Sequence, residues 1–525
     1  MRISTSQYFE NSMSTYSKSF AATAKTQEQI SSGTRIQTAG DDPIGASQLL
    51  QLQQQSALLD QYSTNMTTVT NAQNQEESVL SSLNTAMQSA RGLMVEAGNG
   101  GLSDADRTSI ASQLQGVQDQ VFGLLNSKDS NGNYLFSGSK SATPPYVQNS
   151  DGSYTYQGDE TQLSLQVSDT LSLATNDTGY AAFEQAANTS RTQAVMTSPA
   201  VDDGKLTVSS GVMTDQTSYN NSFTSGQPYT LKFVSSTAYT ITDGSGNDVT
   251  SEASTQGSFN PLASDGSSIA LRGVTFQVDT NLSDADKADP TVADASLATH
   301  TYTLQATPDS INSTRNPANT STAQLTGGTV SNSASYSSTF PATGAVIKFT
   351  SATAYQVFAQ PYSTSSKAIA GGTMSGTSVT AAGVTFNVSG TPATGDSFSV
   401  TADTHQTQNI LTTLKNVVSA LKQPVNTPAS ALAVKNAVAS ALANIDSASK
   451  LVDITRGLIG SRENSIDTQT AENTSLNLAN KSTQSSISDT DMSVAASTLT
   501  LQQTMLQASQ LAFAKISQLS LFNKI

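Results

Sequence analysis

The sequence predicts an α+β chain: long N- and C-terminal helices packed as a coiled-coil rod with a β-hairpin element, plus two inserted β-rich domains related by an internal repeat. Three observations predict it. Apolar residues recur at three- and four-residue spacing near both termini, as they do in helices that share a seam. Residues 185–408 instead alternate apolar and polar positions, broken by Gly, Asn and Asp, as strands and turns do. Within that middle, two stretches repeat one another.

The first long helix lies in Ala46–Arg91, a run without Gly or Pro. Leu52, Leu59, Tyr62, Met66, Val69, Leu80, Leu83, Met87 and Ala90 fall on one track, interrupted by Gln73 and Glu76. At ~1.5 Å per residue such a helix is about 70 Å long, too long for the interior of a compact domain, so it needs helical neighbours. Upstream, Phe9, Met13, Tyr16, Phe20 and Ile30 supply a similar stripe. Downstream, Ser103 and Asp106 read as a capping box for a helix bearing Ile110, Leu114, Val117, Val121 and Leu124. Near the other end, Val438, Leu442, Ile445, Val452, Ile459 and Ile466 mark a second long helix, locally weakened by Gly457 and Gly460. A last helix carries Val494, Leu501, Met505, Ala508, Ala512, Ile516 and Leu519. Any one stripe alone reads as ordinary core packing; flanking a long non-helical insert, the two ends are expected to pack together.

Tyr134–Phe136, Tyr154–Tyr156 and Leu163–Val167 read as short strands bounded by Asn-Gly, Asp-Gly and Gly-Asp turns. In the middle, Lys232-Phe233 with Thr237-Ala238-Tyr239 recurs as Lys348-Phe349 with Thr353-Ala354-Tyr355. Likewise Gly273-Val274-Thr275-Phe276 recurs as Gly383-Val384-Thr385-Phe386. The resulting division is 1–45, an N-terminal assembly segment; 46–184, helical rod with hairpin element; 185–320 and 321–408, two outer β domains; 409–487, the returning rod helix; and 488–525, a C-terminal assembly helix.

Composition narrows the chemistry. The chain has 525 residues, of which only 12% are charged, with 25 Lys plus Arg against 40 Asp plus Glu and a net charge of −15. A nucleic-acid binder needs a basic face, so nucleic acid is not an expected partner. With no Cys, thiolate catalysis and zinc–thiolate sites are excluded. No apolar stretch is long enough to span a bilayer, and Met1–Ser6 does not read as a cleaved signal peptide. No P-loop, HExxH or GxSxG motif occurs. His300 and His405 read as surface residues. Asp279, Asp284, Asp286, Asp289 and Asp294 read as a solvated acidic loop, with calcium the alternative, since the stretch lacks the sixth-position Gly of an EF-hand. The expectation is no enzyme, no metal and no cofactor: binding or assembly.

Two terminal motifs carry a resemblance. Gln29-Ile30-Ser31-Ser32-Gly33-Thr34-Arg35-Ile36 followed by Asp41-Asp42-Pro43-Ile44-Gly45-Ala46-Ser47 resembles the N-terminal signature of the bacterial flagellin superfamily. Ile487–Met492 leading into Leu501–Ala508 resembles its C-terminal signature. The opening Met1–Thr5, the Asp-Asp-Pro-Ile at 41–44 and the ending Ser520–Ile525 look more like the hook–filament junction branch than like flagellin, as does Asn133–Gly138. Lys524 departs from the aromatic residue expected at the penultimate position.

The resemblance implies a structural part of the bacterial flagellum: a ring-forming homo-oligomer joining hook to filament. It meets another hook-associated protein on the hook side and flagellin or cap-family subunits on the filament side. It implies an extracellular location, reached through the flagellar type III export apparatus without a cleaved signal peptide, and a cytosolic export chaperone. Leu52, Leu59, Met66, Leu80, Met87, Leu442, Ile445, Val452 and Ile459 are the expected assembly seam. Val494, Leu501, Met505, Ala508, Ala512, Ile516 and Leu519 are the expected chaperone-binding or terminal assembly face. Arg35, Asp41, Asp42, Pro43 and Ile44 are the family-motif residues. They are expected either to make inter-helix or inter-subunit polar contacts or, for Asp42 ahead of Pro43, simply to cap a helix. The alternatives are a filament-forming flagellin and a secreted adhesin whose β repeats bind a surface ligand.

Overall fold

A computed structural model of the chain describes residues 5–150, 152–261 and 266–522. Helix α1 (Thr5–Ser32) is followed by α2 (Pro43–Ala97) and α3 (Asp104–Leu125). The capping box forms: Asp106 N–H donates to Ser103 Oγ and Ser103 N–H to Asp106 Oδ2, both at 3.2 Å. Two hairpins follow, β1 (Tyr146–Gln148) with β2 (Tyr154–Tyr156) and β3 (Ser164–Gln166) with β4 (Ser172–Ala174). The strand expected at Tyr134–Phe136 does not form. Tyr134 makes only an isolated bridge to Lys128, and Gly138, at φ 69°, turns the chain again almost at once.

The first β-rich domain comprises β5 (Thr192–Ser198), β6 (Leu206–Val208), β7 (Val212–Met213), β8 (Tyr229–Phe233), β9 (Tyr239–Thr242), β10 (Ser267–Leu271), β11 (Val274–Thr280), α4 (Asp284–Ala288), α5 (Pro290–Leu297) and β12 (Thr301–Ala306). One sheet runs β5–β12–β8–β9 and another β10–β11–β6, with β7 beside β11. Their core includes Phe223, Leu231, Phe233, Phe276, Leu297 and Leu304. The second comprises β13 (Ser310–Arg315), β14 (Gln324–Val330), α6 (Ser333–Thr339), β15 (Ala345–Phe349), β16 (Ala354–Ala359), β17 (Ala368–Thr373), β18 (Ser378–Ala381), β19 (Val384–Ser389) and β20 (Ser397–Asp403). These form one sheet, β17–β16–β15–β20–β13–β14–β19–β18, over a separate core that includes Ile347, Phe349, Phe386 and Phe398. Strand β13 pairs along its whole length with β20, so it belongs to the second sheet, ahead of the boundary expected at 320.

The two domains share pairings. Phe233 faces Tyr239 across β8–β9, and Phe349 faces Tyr355 across β15–β16. Arg272-Gly273 turns β10 into β11 with φ of 48° and 86°; Ala382-Gly383 turns β18 into β19 with φ of 49° and 79°. A Cβ at Gly273 would lie 2.4 Å from Asp215 O, and one at Gly383 2.3 Å from Tyr336 N, so glycine is required at both. The Gly273 carbonyl accepts from Thr214 and Asp215, and the Gly383 carbonyl from Ser331 and Asn332.

His300 is not at the surface. It is fully buried, with Nε2 3.0 Å from Asp203 Oδ1 and Nδ1 3.3 Å from the Leu297 carbonyl. His405 is half-buried beside Asp403. The acidic stretch is spread over separate tasks. Asp279 pairs with Lys435 at 2.8 Å, Asp286 and Asp289 cap α4 and α5, and Asp294 accepts from Ser236 N–H. Among the described residues no cluster of three or more acidic or histidine side chains could hold a metal ion.

The chain returns as two helices rather than one, α7 (Ile410–Leu421) and α8 (Pro428–Ser488), because Pro424 and Pro428 break the run. Helix α8 continues unbroken through Gly457 and Gly460. Helix α9 (Met492–Phe522) ends the described chain.

Two compact units result. The first contains Met1–Gln75, Gln162–Asn176 and Gly457–Ile525. In it α2 and α8 run antiparallel with the β3–β4 hairpin packed on them, burying Met66, Val69, Val167, Leu173 and Ile466. Asn473 Nδ2 donates to the Leu59 carbonyl at 2.8 Å, and Asn480 Nδ2 to that of Leu52 at 2.9 Å. The second unit contains Glu76–Thr161 and Asp177–Arg456. Its helices bury Leu80, Leu83, Met87, Ala90, Val438, Ile445 and Val452. Arg456 pairs with Glu77 at 2.6 Å and Arg91 with Asp446 at 3.2 Å. The β-rich middle leaves and returns side by side: Asn188 N–H donates to the Gln406 carbonyl and Gln408 N–H to that of Ala186. Buried Asn444 fixes this neck, accepting from Thr189 N–H at 2.7 Å and donating to Ser190 Oγ at 3.2 Å.

Asp396, buried in the second β domain, gives a pH prediction. Burial pushes its pKa up, but donation from Ser321 Oγ and from the Ala393 and Thr320 N–H groups outweighs this and holds it at about 2. A depressed carboxylate contributes stability that is present above its ordinary value and lost as pH falls through the folded value. Thermal melts from about pH 4 down to about pH 2 should therefore show the second β domain losing stability across that window. Asp396→Asn should flatten the dependence and lower the neutral-pH melting temperature.

Candidate assembly site

The two terminal motifs meet in the first unit. Helix α1 ends at Gly33, whose φ of 72° turns the chain out of the helix. The next residues pair with the segment between α8 and α9. Arg35 N–H donates to the Ser488 carbonyl at 2.6 Å, Thr490 N–H donates to the Gly33 carbonyl at 2.9 Å, and Thr34 bridges Asp489 antiparallel. The Arg35 guanidinium adds a bond to the Ile487 carbonyl at 2.8 Å and lies 3.5 Å from Asp42.

The two aspartates divide the remaining work. Asp42 caps α2: its Oδ1 accepts from Gly45 N–H at 2.9 Å and its carbonyl from Ala46 N–H at 2.8 Å, with Pro43 opening the helix. Asp41 accepts from Lys25 at 2.5 Å and from the Thr38 and Gln37 N–H groups, contacts that hold its carboxyl well below the usual range. Gly45 is buried, and a Cβ there would lie 2.6 Å from Asp42 Oδ2 and 2.7 Å from Ile36 Cδ1. Ile44 is exposed, off the clasp.

The clasp sets α1 and α9 antiparallel, with Phe513 tilted against Phe9 and stacked on Tyr16 at ring-centroid distances of 5.2 and 6.4 Å. Their shared seam is half polar. Helix α1 turns Phe9, Ser12, Tyr16, Ser19, Thr23, Thr26 and Ile30 inward; α9 turns Ala495, Leu499, Gln502, Leu506, Ser509 and Phe513 inward. Thr23 and Thr26 hydroxyls return to carbonyls of their own helix, and Gln502 Oε1 is buried without a hydrogen-bond partner. Other large apolar side chains face outward. Met13 and Phe20 are 56% and 57% exposed, Leu501 and Met505 58% and 56%. The single α1 stripe expected from sequence is therefore two faces, Met13 and Phe20 lying away from Phe9, Tyr16 and Ile30.

Among the other predicted residues, Val494, Ala508 and Ala512 share the outward face with Leu501 and Met505, one position off the seam. The side chains of Ile516 and Leu519 lie outside the described residues. Leu59, Met66, Leu80, Met87, Ile445, Val452 and Ile459 are buried within this chain, while Leu52 and Leu442 are half-buried. The asparagines Asn444, Asn473 and Asn480 were not singled out by apolar patterning. The signal that could find them is their occurrence at seam positions of α8, where a polar residue must bond to the facing helix.

A half-polar seam buries little apolar area, and isolated helices are marginal without a packing partner. In the dilute monomer, amide exchange along α1 and α9 should be at least about tenfold faster than along the buried face of α2. Equal protection would show that the pair is stable by itself.

Residues 3–141 match the bacterial flagellin N-terminal helical region. Flagellar hook-associated protein 3 of Salmonella typhimurium is 43% identical over 183 residues, 35% of this chain and 57% of that protein. Its Escherichia coli counterpart is 39% identical over 184 residues, again 35% and 57%. The chain thus spans little more than half the length of these curated relatives. A crystal structure of flagellar hook associated protein-3 from Legionella pneumophila is 21% identical, covering 83% of this chain and 98% of that one with a TM-score of 0.47. The resemblance carried by the terminal motifs is borne out: the chain is similar, over about a third of its length, to hook-associated protein 3 of the flagellin superfamily.

Proposed function

We propose that this protein is a structural, non-catalytic component of the bacterial flagellum, forming the ring that joins hook to filament. The observation that carries an assembly role is the division of apolar side chains on α1 and α9: the seam between them is half polar, while Met13, Phe20, Leu501 and Met505 stand on faces left open. Identity of 39–43% to two hook-associated proteins selects the junction over the filament; flagellin of Bacillus subtilis is 30% identical over 154 residues. Its neighbours are further copies of itself, a hook-side hook-associated protein and filament-side flagellin or cap-family subunits. It reaches them through the flagellar type III export apparatus and functions outside the cell. Residues 1–45 and 488–525 act as the assembly segments, and 46–184 with 409–487 as the helical body.

The two β-rich domains are read as copies of one ancestral insert. Matching Phe–Tyr pairs and matching Gly turns, each with its glycine carbonyl accepting two successive N–H groups, support that reading. Their common neck at 186–188 and 406–408 supports their being an outer attachment to the helical body.

Deleting the gene tests the junction role. The expected cells keep their hooks, lack filaments and release flagellin into the medium. Filaments of normal length on the mutant would refute it, and loss of filaments with flagellin retained in the cell would point elsewhere.

The outward face of α9 is also the proposed site for the export chaperone, which must cover it before assembly. Changing Leu501 and Met505 together to Ser removes two anchors worth roughly 1.5–3 kcal/mol each. Calorimetry with the purified chaperone should show affinity reduced by well over about tenfold, while deleting residues 1–30 leaves it nearly unchanged. The opposite ranking would move the chaperone site to α1.

A further inference from the structure

A cleft of about 240 Å³ opens in the first unit among α2, α8 and the β3–β4 hairpin. Asn473, only 7% exposed, lines it. Its Nδ2 is committed to the Leu59 carbonyl, which fixes the amide's orientation, and its buried Oδ1 has no hydrogen-bond partner. Two carboxylates line the same cleft. Asp169 Oδ1 accepts from Tyr62 Oη at 2.8 Å, and Glu472 Oε2 accepts from Gln469 Nε2 at 3.2 Å. No lysine, arginine or histidine is among the lining residues. Leu58 and Leu476, 40% and 44% exposed, stand at the same opening.

The cleft therefore combines apolar surface, two negative charges and an acceptor that lacks a donor. A lysine side chain carries the complementary parts in order, an apolar stem and then an ammonium with three donors. We propose that a lysine of a second copy of this chain inserts here. Its stem lies along Leu58 and Leu476, and its ammonium, held by Asp169 and Glu472, donates to Asn473 Oδ1. Lysine fits better than arginine because an ammonium can turn its three donors toward separate oxygens, whereas a guanidinium donates in one fixed plane. A compact ammonium also suits a small cleft better than a planar guanidinium. A second copy is the source because the proposed ring sets copies side by side, and the inference rests on that reading.

The test uses hook–filament assemblies that carry the chain. A water-soluble carbodiimide joins a carboxylate to an amine in direct contact, and mass spectrometry of the digest reads the products. The expected product links Glu472 or Asp169 to a lysine of this chain, in the assembly and not in dilute monomer. The Asp169→Asn, Glu472→Gln double variant has no carboxylate there to couple, so it serves as the blank that assigns the product to these two residues. Asp279 and Lys435, 2.8 Å apart within one chain, serve as the internal control. Three outcomes overturn the proposal: a link to a lysine of another protein, a link equally abundant in monomer, or no link at either carboxylate while the control link forms. Absence of the chain from the assemblies overturns the ring reading instead, and the proposal with it.

Discussion

A few backbone hydrogen bonds between residues 33–35 and 488–490 set the terms for the rest of the first unit. They join two stretches more than 450 residues apart in sequence, and they fix where α1 starts to pair with α9 and where α2 starts to pair with α8. The motif chemistry serves this joint. Gly33 supplies the left-handed turn that frees Thr34 and Arg35 to pair. Asp42 restarts the helix immediately afterwards, and Gly45 leaves room for the Asp42 carboxylate and the Ile36 side chain. Arg35 then ties the start of α2 to the end of α8 by reaching both Asp42 and the Ile487 carbonyl. A bulkier residue at 45 would displace the cap and the isoleucine together, which explains why the motif is so local and so specific in composition.

From that joint outward, register along α2 and α8 is held by amides rather than by apolar packing alone. Asn473 and Asn480 lie seven residues apart on α8 and bond to carbonyls of Leu59 and Leu52, also seven apart on α2. A buried amide with a single available partner penalises every register that would leave it unsatisfied. Apolar side chains such as Met66 and Val69 tolerate sliding; these asparagines do not. In the first unit side-chain amides thus perform the registering task that the Arg456–Glu77 and Arg91–Asp446 ion pairs share along the same two helices in the second.

Much of this was legible in the sequence because it rests on periodicity. The track from Leu52 to Ala90 lies buried or half-buried as its spacing requires, and Gln73 and Glu76 do sit on that same buried face. The capping box at Ser103 and the pairing of the two ends followed from the same patterning. What the sequence misread has physical causes. Helix α1 carries two apolar tracks, and the three- and four-residue rule cannot say which of them a short polar partner face will cover. His300 reads as a surface residue by type, yet the capped helix ahead of it delivers it into the β-domain interior opposite Asp203. Strand β13 contains Asn312, Ser313, Thr314 and Arg315, with no repeated motif to mark it, so only its pairing with β20 assigns it to the second sheet. The cleft at Asn473 was invisible because it is built from three segments far apart in sequence.

The uneven placement of apolar side chains on α1 and α9 has an energetic consequence for the proposed ring. Met13, Phe20, Val494, Leu501, Met505 and Leu511 are all more than half exposed. Burying side chains of this size contributes roughly 1.5–3 kcal/mol each, so covering the set contributes on the order of 10 kcal/mol. Bringing two free copies together costs about 4–15 kcal/mol of translational and rotational freedom, before any ordering of the helices. Two isolated copies, which can cover only part of each other's faces, therefore gain little or nothing by pairing. A subunit arriving at an existing edge meets neighbours on more than one side and covers more apolar surface for one loss of freedom. The same faces can thus be stable in a closed ring and unpaired in dilute solution, provided the intramolecular seam remains weak enough to let α1 and α9 settle against their neighbours. A fully apolar seam would tighten the monomer and withdraw those side chains from the ring; Ser12, Ser19, Gln502 and Ser509 in the seam keep them available.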